Sequence, residues 1–424
     1  MSSRREFLKV GMGVGVAAML PTGLGVAEES TRGDVDLGSL PAWEAGVLEI
    51  HHIDTGRGNS TFVLGPDGTT LLIDAGEAHS AVRMMSPARP NDSRRAGEWI
   101  ARYVARQLAR VGRDDLDLML LTHLHGDHVG EVAASSPQSM KGAYRLTGAA
   151  DVAEAMPVRE LIDRGWPDYG YPATPTDPSA NNYIQLVKSL AAKGTKVQRA
   201  RAGSLRQLEL RRDATRYPEF SGRVLSVNGE VWTGADEAGK ALFPALEGLA
   251  ASDVPNENMC CVSMCLRYGG FSYFSGGDLT CDTDYGRKAW RDIETPVARA
   301  AGPMSVAVVN HHGYFDAGGF EAVQALRPRV WILPSWHVSH PAMNVLANLL
   351  STELYPGERS MFAVGMTEAA LQTTERFSKG LSSSEGHVVV RVAPGGGEYR
   401  VHVVDARSET GSIAAQFGPF ASAG

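Results

Sequence analysis

The sequence predicts an α/β fold, because short apolar strands, an amphipathic helix and turn-forming glycines follow one another in its first third. Residues 116–121 are apolar except at Asp117, which is typical of a strand in a sheet that is covered on both faces. Upstream, residues 47–73 hold three short strands separated by turns, and residues 91–108 have the spacing of a surface helix. Strands and a helix that alternate in this way favour the α/β class.

The first strands are predicted to form a β-meander. Residues 47–53 lead into the turn-rich segment 54–60, residues 61–64 turn at the Gly-Pro-Asp-Gly stretch 65–68, and residues 69–73 follow. Three strands joined by such short turns are expected to pair antiparallel with their neighbours.

The helix that follows is predicted to begin after Asn91-Asp92-Ser93, because these residue types cap helix N-termini. Its apolar positions recur three to four residues apart and are expected to face the sheet: Ile100, Tyr103, Val104 and Leu108.

Four residues of metal-ligand type follow the strand at residues 116–121. In an extended segment His123 and His125 point to the same side, so both can bind one ion, and Asp127 and His128 follow a glycine turn toward a second ion. Imidazoles and a carboxylate are ligands that Zn²⁺ favours, with manganese and iron as alternatives. The segment therefore predicts a centre of one or two metal ions.

Three further residues lie on strands near this segment. On the strand at residues 47–53, His51 and His52 point to opposite faces, so we expect one to be buried and hydrogen-bonded and the other to face solvent. Asp74, at a strand end, is expected to hold a ligand histidine in its tautomer rather than to bind metal.

The N-terminus predicts an export signal. Arg4 and Arg5 precede a short apolar, glycine-rich stretch, which is typical of twin-arginine signal peptides and too interrupted for a membrane span. We expect residues 1–27 to be removed, residues 28–45 to form a tether, and the mature protein to be periplasmic or secreted by a bacterium.

The net charge of the chain bears on its binding partners. The chain has 41 basic and 48 acidic side chains and a net charge of −7, which argues against broad electrostatic capture of nucleic acid, although not against a local basic groove. Four cysteines match no zinc-knuckle spacing and are expected to be buried thiols, or to form one bridge that involves Cys281: Cys260, Cys261, Cys265 and Cys281.

The His-Leu-His-Gly-Asp-His segment at 123–128 resembles the signature of the metallo-β-lactamase superfamily of hydrolases. Five further motifs follow the order of one branch, which includes the hydrolase domain of competence-type DNA-uptake proteins. They lie at residues 53–60, 72–76, 266–278, 310–313 and 339–341.

This resemblance implies a four-layer αββα sandwich for residues 46–406, with a two-metal site at one edge. His123 and His125 then correspond to ligands of the first metal, and Asp127 and His128 to ligands of the second. Asp278 is similar to the bridging carboxylate, and His312 resembles the last ligand.

The sequence departs from the wider superfamily at the first metal. A further histidine normally completes that site, but residues 129–277 contain none. The first metal is therefore expected to be weakly held, completed by water or exchangeable. This departure counts against a classical β-lactamase and fits the narrower branch.

Other histidines have two readings. His340, in a Ser-His-Pro motif, is expected near the metals as a proton donor or oxyanion ligand, whereas the alternative is a loop residue that caps a helix. His311 is either an alternate ligand or a neighbour that orients one. His337 remains open between the two roles, and His79, His387 and His402 are expected to be structural or exposed.

The interval at residues 134–255 is predicted to be an insert. Its aromatic residues Trp166, Tyr169 and Tyr171 either form a stacking wall for substrate or pack against one another in a surface flap. A helix is expected at residues 183–190. The basic side chains between residues 188 and 212 form a solvated face or steer a phosphate.

Toward the end of the chain, a helix is expected at residues 343–350 and a hairpin at residues 387–404. Residues 407–424 are small and polar, and we expect a loose tail.

Three functional hypotheses follow. The first is a metal-dependent phosphodiesterase acting on nucleic acid or a smaller periplasmic phosphodiester, with Asp127 and His340 as catalytic residues. The second is a hydrolase of a lactone, thioester or β-lactam. The third is a non-catalytic metal-binding domain or an oxidoreductase, the latter disfavoured because no flavin domain accompanies the site. No protein partner is evident in the sequence.

Overall fold

The structure is a computed structural model and describes residues 38–80 and 82–422. The predicted signal peptide, at residues 1–27, and most of the predicted tether lie outside the described residues.

The strands of the described chain are β1 (Leu48–His52), β2 (Thr61–Leu64), β3 (Thr70–Ile73), β4 (Leu116–Leu120), β5 (Val158–Asp163), β6 (Lys196–Arg199), β7 (Phe220–Val227), β8 (Glu230–Trp232), β9 (Gly239–Ala241), β10 (Ser263–Tyr268), β11 (Phe271–Ser275), β12 (Val306–Val308), β13 (Val330–Leu333), β14 (Ser360–Ala363), β15 (His387–Val392), β16 (Glu398–Val404) and β17 (Ile413–Ala421). The α-helices are α1 (Ala96–Ala109), α2 (Gly126–Val129), α3 (Ala149–Ala155), α4 (Pro178–Ala192), α5 (Glu294–Ala301), α6 (Phe320–Leu326), α7 (Met343–Leu350), α8 (Glu368–Thr373) and α9 (Glu375–Ser378).

The strands form two large mixed sheets. The first has the order β17-β16-β15-β1-β2-β3-β4-β5-β6, and the second has the order β14-β13-β12-β11-β10-β7-β8-β9. Strands β3 to β6 run parallel to one another, as do β11 to β14, and the other neighbours are antiparallel.

Three hydrophobic cores hold four layers together. Between the sheets, side chains such as Leu118 of β4 and Tyr273 of β11 share one core. A second core packs α1, α3 and α4 on the outer face of the first sheet, and a third packs α5, α6 and α7 on the outer face of the second. This arrangement is the predicted αββα sandwich of the metallo-β-lactamase type, because each sheet buries one face on the other sheet and one face under helices.

Most of the predicted elements are present, including the meander, the strand before the metal-ligand segment, the helix at residues 343–350 and the terminal hairpin. The predicted cap of α1 is wrong. The side-chain oxygen of Asn91 accepts from the backbone N–H of Ser93 in a turn. The helix begins after Arg95, whose backbone N–H donates to the Glu98 carboxylate at 3.0 Å. The apolar face of α1 is buried as predicted.

The expectation that one of His51 and His52 faces solvent is wrong, because both are buried. His51 lies under α1 with its Nδ1 2.9 Å from the Tyr103 hydroxyl. His52 points to the second sheet, where its ring centre is 5.9 Å from that of Tyr273. Coverage of both sheet faces leaves neither side of β1 to solvent.

Two segments are more ordered than the sequence indicated. Residues 134–255, expected to be an insert, supply β5 to β9 and so extend both sheets. Within the segment expected to be a loose tail, β17 pairs antiparallel with β16 at the edge of the first sheet. Its side chains Phe417 and Phe420 pack on the core between the sheets, which explains why this segment is ordered.

Among residues 38–80 and 82–422, we find no helix with the length and apolarity needed to cross a bilayer.

Candidate metal centre

Strands from both sheets end at the same edge of the sandwich. In the first sheet β4 leads into residues 122–128, and in the second β11, β12 and β13 lead into Asp278, the Asn310–Gly313 turn and residues 334–340. Because β11, β12 and β13 are parallel, their carboxyl ends meet on one side. Residues far apart in the sequence are thereby brought together.

One group of ligand atoms comes from His123, His125 and Asp278 and lies within 4.8 Å. The Nε2 atom of His123 is 3.0 Å from Nδ1 of His125 and 3.7 Å from Oδ2 of Asp278. The extended segment therefore does bring the two histidines side by side, as the i, i+2 spacing predicted.

A second group of ligand atoms comes from Asp127, His128, Asp278 and His312, also within 4.8 Å. Nε2 of His128 is 3.1 Å from Oδ1 of Asp278 and 3.2 Å from Nε2 of His312. Nε2 of His312 is 3.1 Å from Oδ2 of Asp127. Asp278 belongs to both groups and stands between them.

Hydrogen bonds fix which nitrogen of each histidine faces the centre. Nδ1 of His128 lies 2.7 Å from Oδ2 of Asp74, and Nδ1 of His312 lies 2.9 Å from the Pro334 carbonyl oxygen. Since carboxylate and carbonyl oxygens only accept, both Nδ1 atoms carry hydrogen, and both Nε2 atoms face the centre. Asp74 therefore occupies the position that the sequence predicted for it.

Thr122 joins this network, although the sequence did not single it out. Its backbone N–H and hydroxyl donate to the two oxygens of Asp74 at 2.8 and 2.9 Å, and its hydroxyl oxygen is 3.1 Å from Nδ1 of His123. The only sequence feature that could have indicated this role is its position directly before His123, after the end of β4.

The electrostatics of the centre are those of a cation site. Burial alone would raise the pKa of Asp278, but His128, His312 and His311 hold that pKa well below its usual range. Burial disfavours charged His312, yet Asp278 and Asp127 raise the pKa of His312 to about 9. One buried carboxylate, Asp278, and one partly buried carboxylate, Asp127, thus require positive charge nearby.

The donor set fits a metal. Imidazole nitrogens and carboxylate oxygens converge from three loops, and Zn²⁺, Mn²⁺ and iron all accept such ligands. Metal binding to these six residues, and the identity of the metal, remain predictions.

His340 lies beside the centre. Its buried ring stacks on that of His312 with ring centres 5.1 Å apart, and the backbone N–H of Trp336 donates to its Nδ1 at 3.4 Å. Burial and then charged His312 hold the pKa of His340 well below its usual range. The imidazole is therefore neutral and carries its hydrogen on Nε2, where it can donate. His337 is half-buried, with its ring centre 5.5 Å from that of His340.

His311 belongs to neither ligand group. Its Nδ1 is 2.7 Å from Oδ1 of Asp316, its Nε2 accepts from the Asn258 amide at 3.2 Å, and that Nε2 is 3.8 Å from Oδ2 of Asp278. This geometry favours the reading in which His311 orients Asp278, rather than the reading in which His311 is an alternate metal ligand. Both His311 and His312 have positive φ, 46° and 55°, and this turn directs their side chains to different partners.

Two side chains that the sequence did not identify position the ligand loops. Glu257 accepts from the backbone N–H of Leu124 at 3.2 Å and pairs with buried Arg164. Glu294 accepts from the Asn310 amide at 2.9 Å, next to the histidine turn. Glu257 lies shortly before β10 and Glu294 is the first residue of α5, and no local sequence pattern indicated either contact.

The predicted aromatic wall is wrong for Tyr169, which is buried in the outer core of the first sheet and donates to Asp163. Trp166 packs partly buried against the same core. Tyr171 is exposed, and its carbonyl oxygen accepts from Arg164, which pairs with Glu257. A role of Trp166 or Tyr171 in substrate binding stays a prediction.

The basic stretch does not line the metal centre. Arg211 and Lys196 pair with Glu160. Arg212 pairs with Asp117, the second residue of β4, whereas the metal-ligand residues follow the other end of this strand. These pairs are typical of a solvated face.

The four cysteines are free thiols, and Cys261 accepts from the Asp278 backbone N–H at 3.3 Å.

Residues 53–145 match the sequence model of a family described as the metallo-beta-lactamase superfamily. The matched region contains β2, β3, α1, β4 and the four ligand-type residues after β4. Members of this superfamily are generally metal-dependent hydrolases. A comparison with curated proteins gave no match.

Proposed function

We propose that this protein is a metal-dependent hydrolase of phosphodiesters, either in nucleic acid or in a smaller molecule. The observation that carries the proposal is the position of Asp278 between two groups of ligand atoms, which is what a two-ion site requires. The match of residues 53–145 to a superfamily of metal-dependent hydrolases supports the same reaction class.

Zn²⁺ is the proposed ion, with Mn²⁺ or iron as alternatives. His123, His125 and Asp278 would hold one ion, and Asp127, His128, Asp278 and His312 would hold another. Bound there, the ions would lower the pKa of a coordinated water toward about 7 and polarise the substrate. The first group has fewer protein ligands, so we propose weaker binding of that ion.

The protein's own residues would orient the attacking water and donate a hydrogen bond to the substrate. Asp127 has one oxygen 3.1 Å from His312 and is partly exposed at the mouth of the centre, where it can accept a hydrogen bond from the attacking water. His340 carries its hydrogen on Nε2 beside His312 and would donate a hydrogen bond from it to a substrate oxygen on which negative charge develops. No covalent protein intermediate is required.

The choice of a phosphodiester rests on three points. Paired ions suit the in-line displacement at phosphorus, in which charge develops on attacking and leaving oxygens. His340 could donate a hydrogen bond to an oxygen of the phosphoryl group. The order of motifs along the chain resembles the DNA-uptake branch of the superfamily, and the twin-arginine sequence supports export to the periplasm or beyond.

The test is turnover by the full chain with its metal. The purified protein is assayed with bis-p-nitrophenyl phosphate and with a chromogenic β-lactam, beside Asp127→Ala and the exposed control Asp168→Ala. We expect diesterase activity that falls at least 100-fold in Asp127→Ala and is retained in Asp168→Ala. Turnover of the lactam alone would replace the proposed substrate class, and no turnover of either would contradict the proposal.

A further inference from the structure

A second concavity lies next to the metal centre, between the loop that follows β1 and the start of α1. Thr55, Arg57 and His79 line one side, and Arg94 and Trp99 line the other. We call it the α1 cleft. Its volume of about 400 Å³ lies in the range of small-molecule sites.

The α1 cleft and the metal centre share a wall. The backbone N–H of Asn59 donates to the Asp127 carbonyl at 2.8 Å, and the backbone N–H of Glu77 donates to the Gly126 carbonyl at 3.1 Å. A Cβ on Gly58 would lie 2.5 Å from the Asp127 carbonyl oxygen, so the backbones touch there. A molecule bound at Asp127 is thus separated from the cleft by one loop.

Arg57 is the feature of the cleft that indicates a ligand. Its half-buried guanidinium donates to the carbonyl oxygens of Gly56 and Ser86, and no carboxylate of a described residue forms an ion pair with it. Arg94 and Arg95, by contrast, pair with Glu98, and Arg95 also pairs with Asp151.

Neighbouring groups complete an oxyanion site. The Thr55 side chain is 2% exposed, and its hydroxyl has no hydrogen-bond partner among the described residues. His79 lies 2.9 Å from Glu77, which raises the pKa of His79, and both side chains line the cleft. Asp92 also lines the cleft, but it is exposed and its charge is solvated.

Arg57 has no ion-paired carboxylate among the described residues, and the charges of Asp54, Asp92 and Glu77 act on it from beyond ion-pair distance, so a bound anion would add a direct partner to this half-buried cation. Burial lowers the pKa of Arg57, although a guanidinium keeps its proton at neutral pH. Planar guanidinium donors match the oxygens of a carboxylate or a phosphate, and a hydroxyl next to them can add a further hydrogen bond.

We propose that the α1 cleft binds an oxyanion group of the substrate, a phosphate or a carboxylate, that is not the group being hydrolysed. Arg57 is the main ligand, and Thr55 and His79 assist it. The identity of the occupant as substrate rests on the proposed function, whereas oxyanion binding to the cleft does not. A substrate with a second anionic group next to the scissile linkage would then be preferred over a singly charged one.

The kinetic test compares substrates with the same scissile linkage. Thymidine 5′-p-nitrophenyl phosphate is compared with the same compound bearing a 3′-phosphate, and methyl p-nitrophenyl phosphate with a carboxyalkyl analogue. We expect the added anion to raise kcat/KM and expect Arg57→Gln to reduce that preference at least tenfold, chiefly through KM. The phosphate and carboxylate pairs identify which oxyanion is bound. An unchanged preference in Arg57→Gln would overturn the proposal.

The binding test does not need turnover. Calorimetric titration with inorganic phosphate and with acetate is made on the full metal-loaded chain, Arg57→Gln, Arg57→Lys and the exposed control Arg299→Gln. We expect Arg57→Gln to lose one binding site that Arg57→Lys and Arg299→Gln retain, with thermal unfolding confirming that each variant is folded. Equal binding by all four proteins would overturn the cleft proposal even if the enzyme proved to be a phosphodiesterase. Loss of the site in Arg57→Gln without any turnover would instead remove only the proposed function.

Discussion

Nδ1 of His128 lies 2.7 Å from a carboxylate oxygen of Asp74, and this contact leaves Nε2 of His128 to face Asp278. Asp74 is buried with φ 59°, and it also accepts from the Thr122 hydroxyl and backbone N–H. One carboxylate therefore orients both the end of β4 and a predicted ligand.

Asp74→Asn tests this orientation. Asparagine tolerates a left-handed backbone and keeps the size of the side chain, so the substitution removes mainly the charge and one acceptor. We expect metal affinity to fall about 10- to 100-fold, as for partners of metal-binding histidines in general. Metal titration measures this, with Asp168→Asn as the exposed control. Undiminished affinity in Asp74→Asn would show that the contact does not tune the ligand.

Gly76→Ala tests the close packing behind Asp127. A Cβ at Gly76 would lie 1.8 Å from the Asp127 carbonyl oxygen, and the ligand loop would have to move. We expect a loss of about 1–3 kcal/mol in the free energy of unfolding, as for overpacked sites, together with weaker metal binding. Gly397→Ala is the matched control, because no atom lies within 4 Å of its Cβ. Denaturant unfolding with equal losses in the two variants would contradict this packing.

Glu294 makes stability depend on pH. Burial raises the pKa of Glu294 to about 7 from 4.5, so the folded state binds its proton more tightly than the unfolded state. This contribution to stability is fully present below pH 4.5 and is lost as the pH rises through about 7, with a total near 3 kcal/mol. Glu294→Gln removes the titration, so its unfolding free energy should vary less between these pH values. A slope equal to that of the wild type would refute the assignment.

His340→Ala tests the hydrogen-bond donor. A neutral imidazole stacked on His312 can donate a hydrogen bond from Nε2, and loss of one donor to a developing oxyanion typically costs about 100- to 1,000-fold in kcat. We expect kcat on bis-p-nitrophenyl phosphate to fall by at least 100-fold with metal content unchanged. His340→Gln, whose side-chain amide can still donate, should lose less. An equal loss of bound metal would instead make His340 part of the metal site.

The sequence predicted those parts of the molecule that depend on local patterns. The strand before His123 is an apolar run broken only by Asp117, and the ligand spacing after it follows from extended geometry, so both could be anticipated. Asp278 and His312 follow apolar strands too, but their meeting with His123 depends on two sheets packing face to face. Only the resemblance implied that contact.

The errors have physical causes outside the local pattern. The prediction that one of His51 and His52 faces solvent is wrong because the side of β1 that His52 faces is covered by Tyr273, more than 200 residues away in the second sheet. Tyr169 was assigned to a wall because nothing local indicates that its hydroxyl bonds buried Asp163. The final strand has little apolar alternation, and it is ordered by pairing with β16.

Metal content of the full chain and of Asp278→Asn tests the central claim most directly. Because Asp278 belongs to both ligand groups, its loss should weaken both at once. Elemental analysis for zinc, manganese and iron should find one or two ions per wild-type chain, and fewer in Asp278→Asn with diesterase activity lost in parallel. A wild-type protein that binds no metal, or a variant that binds as much as the wild type, would contradict the account.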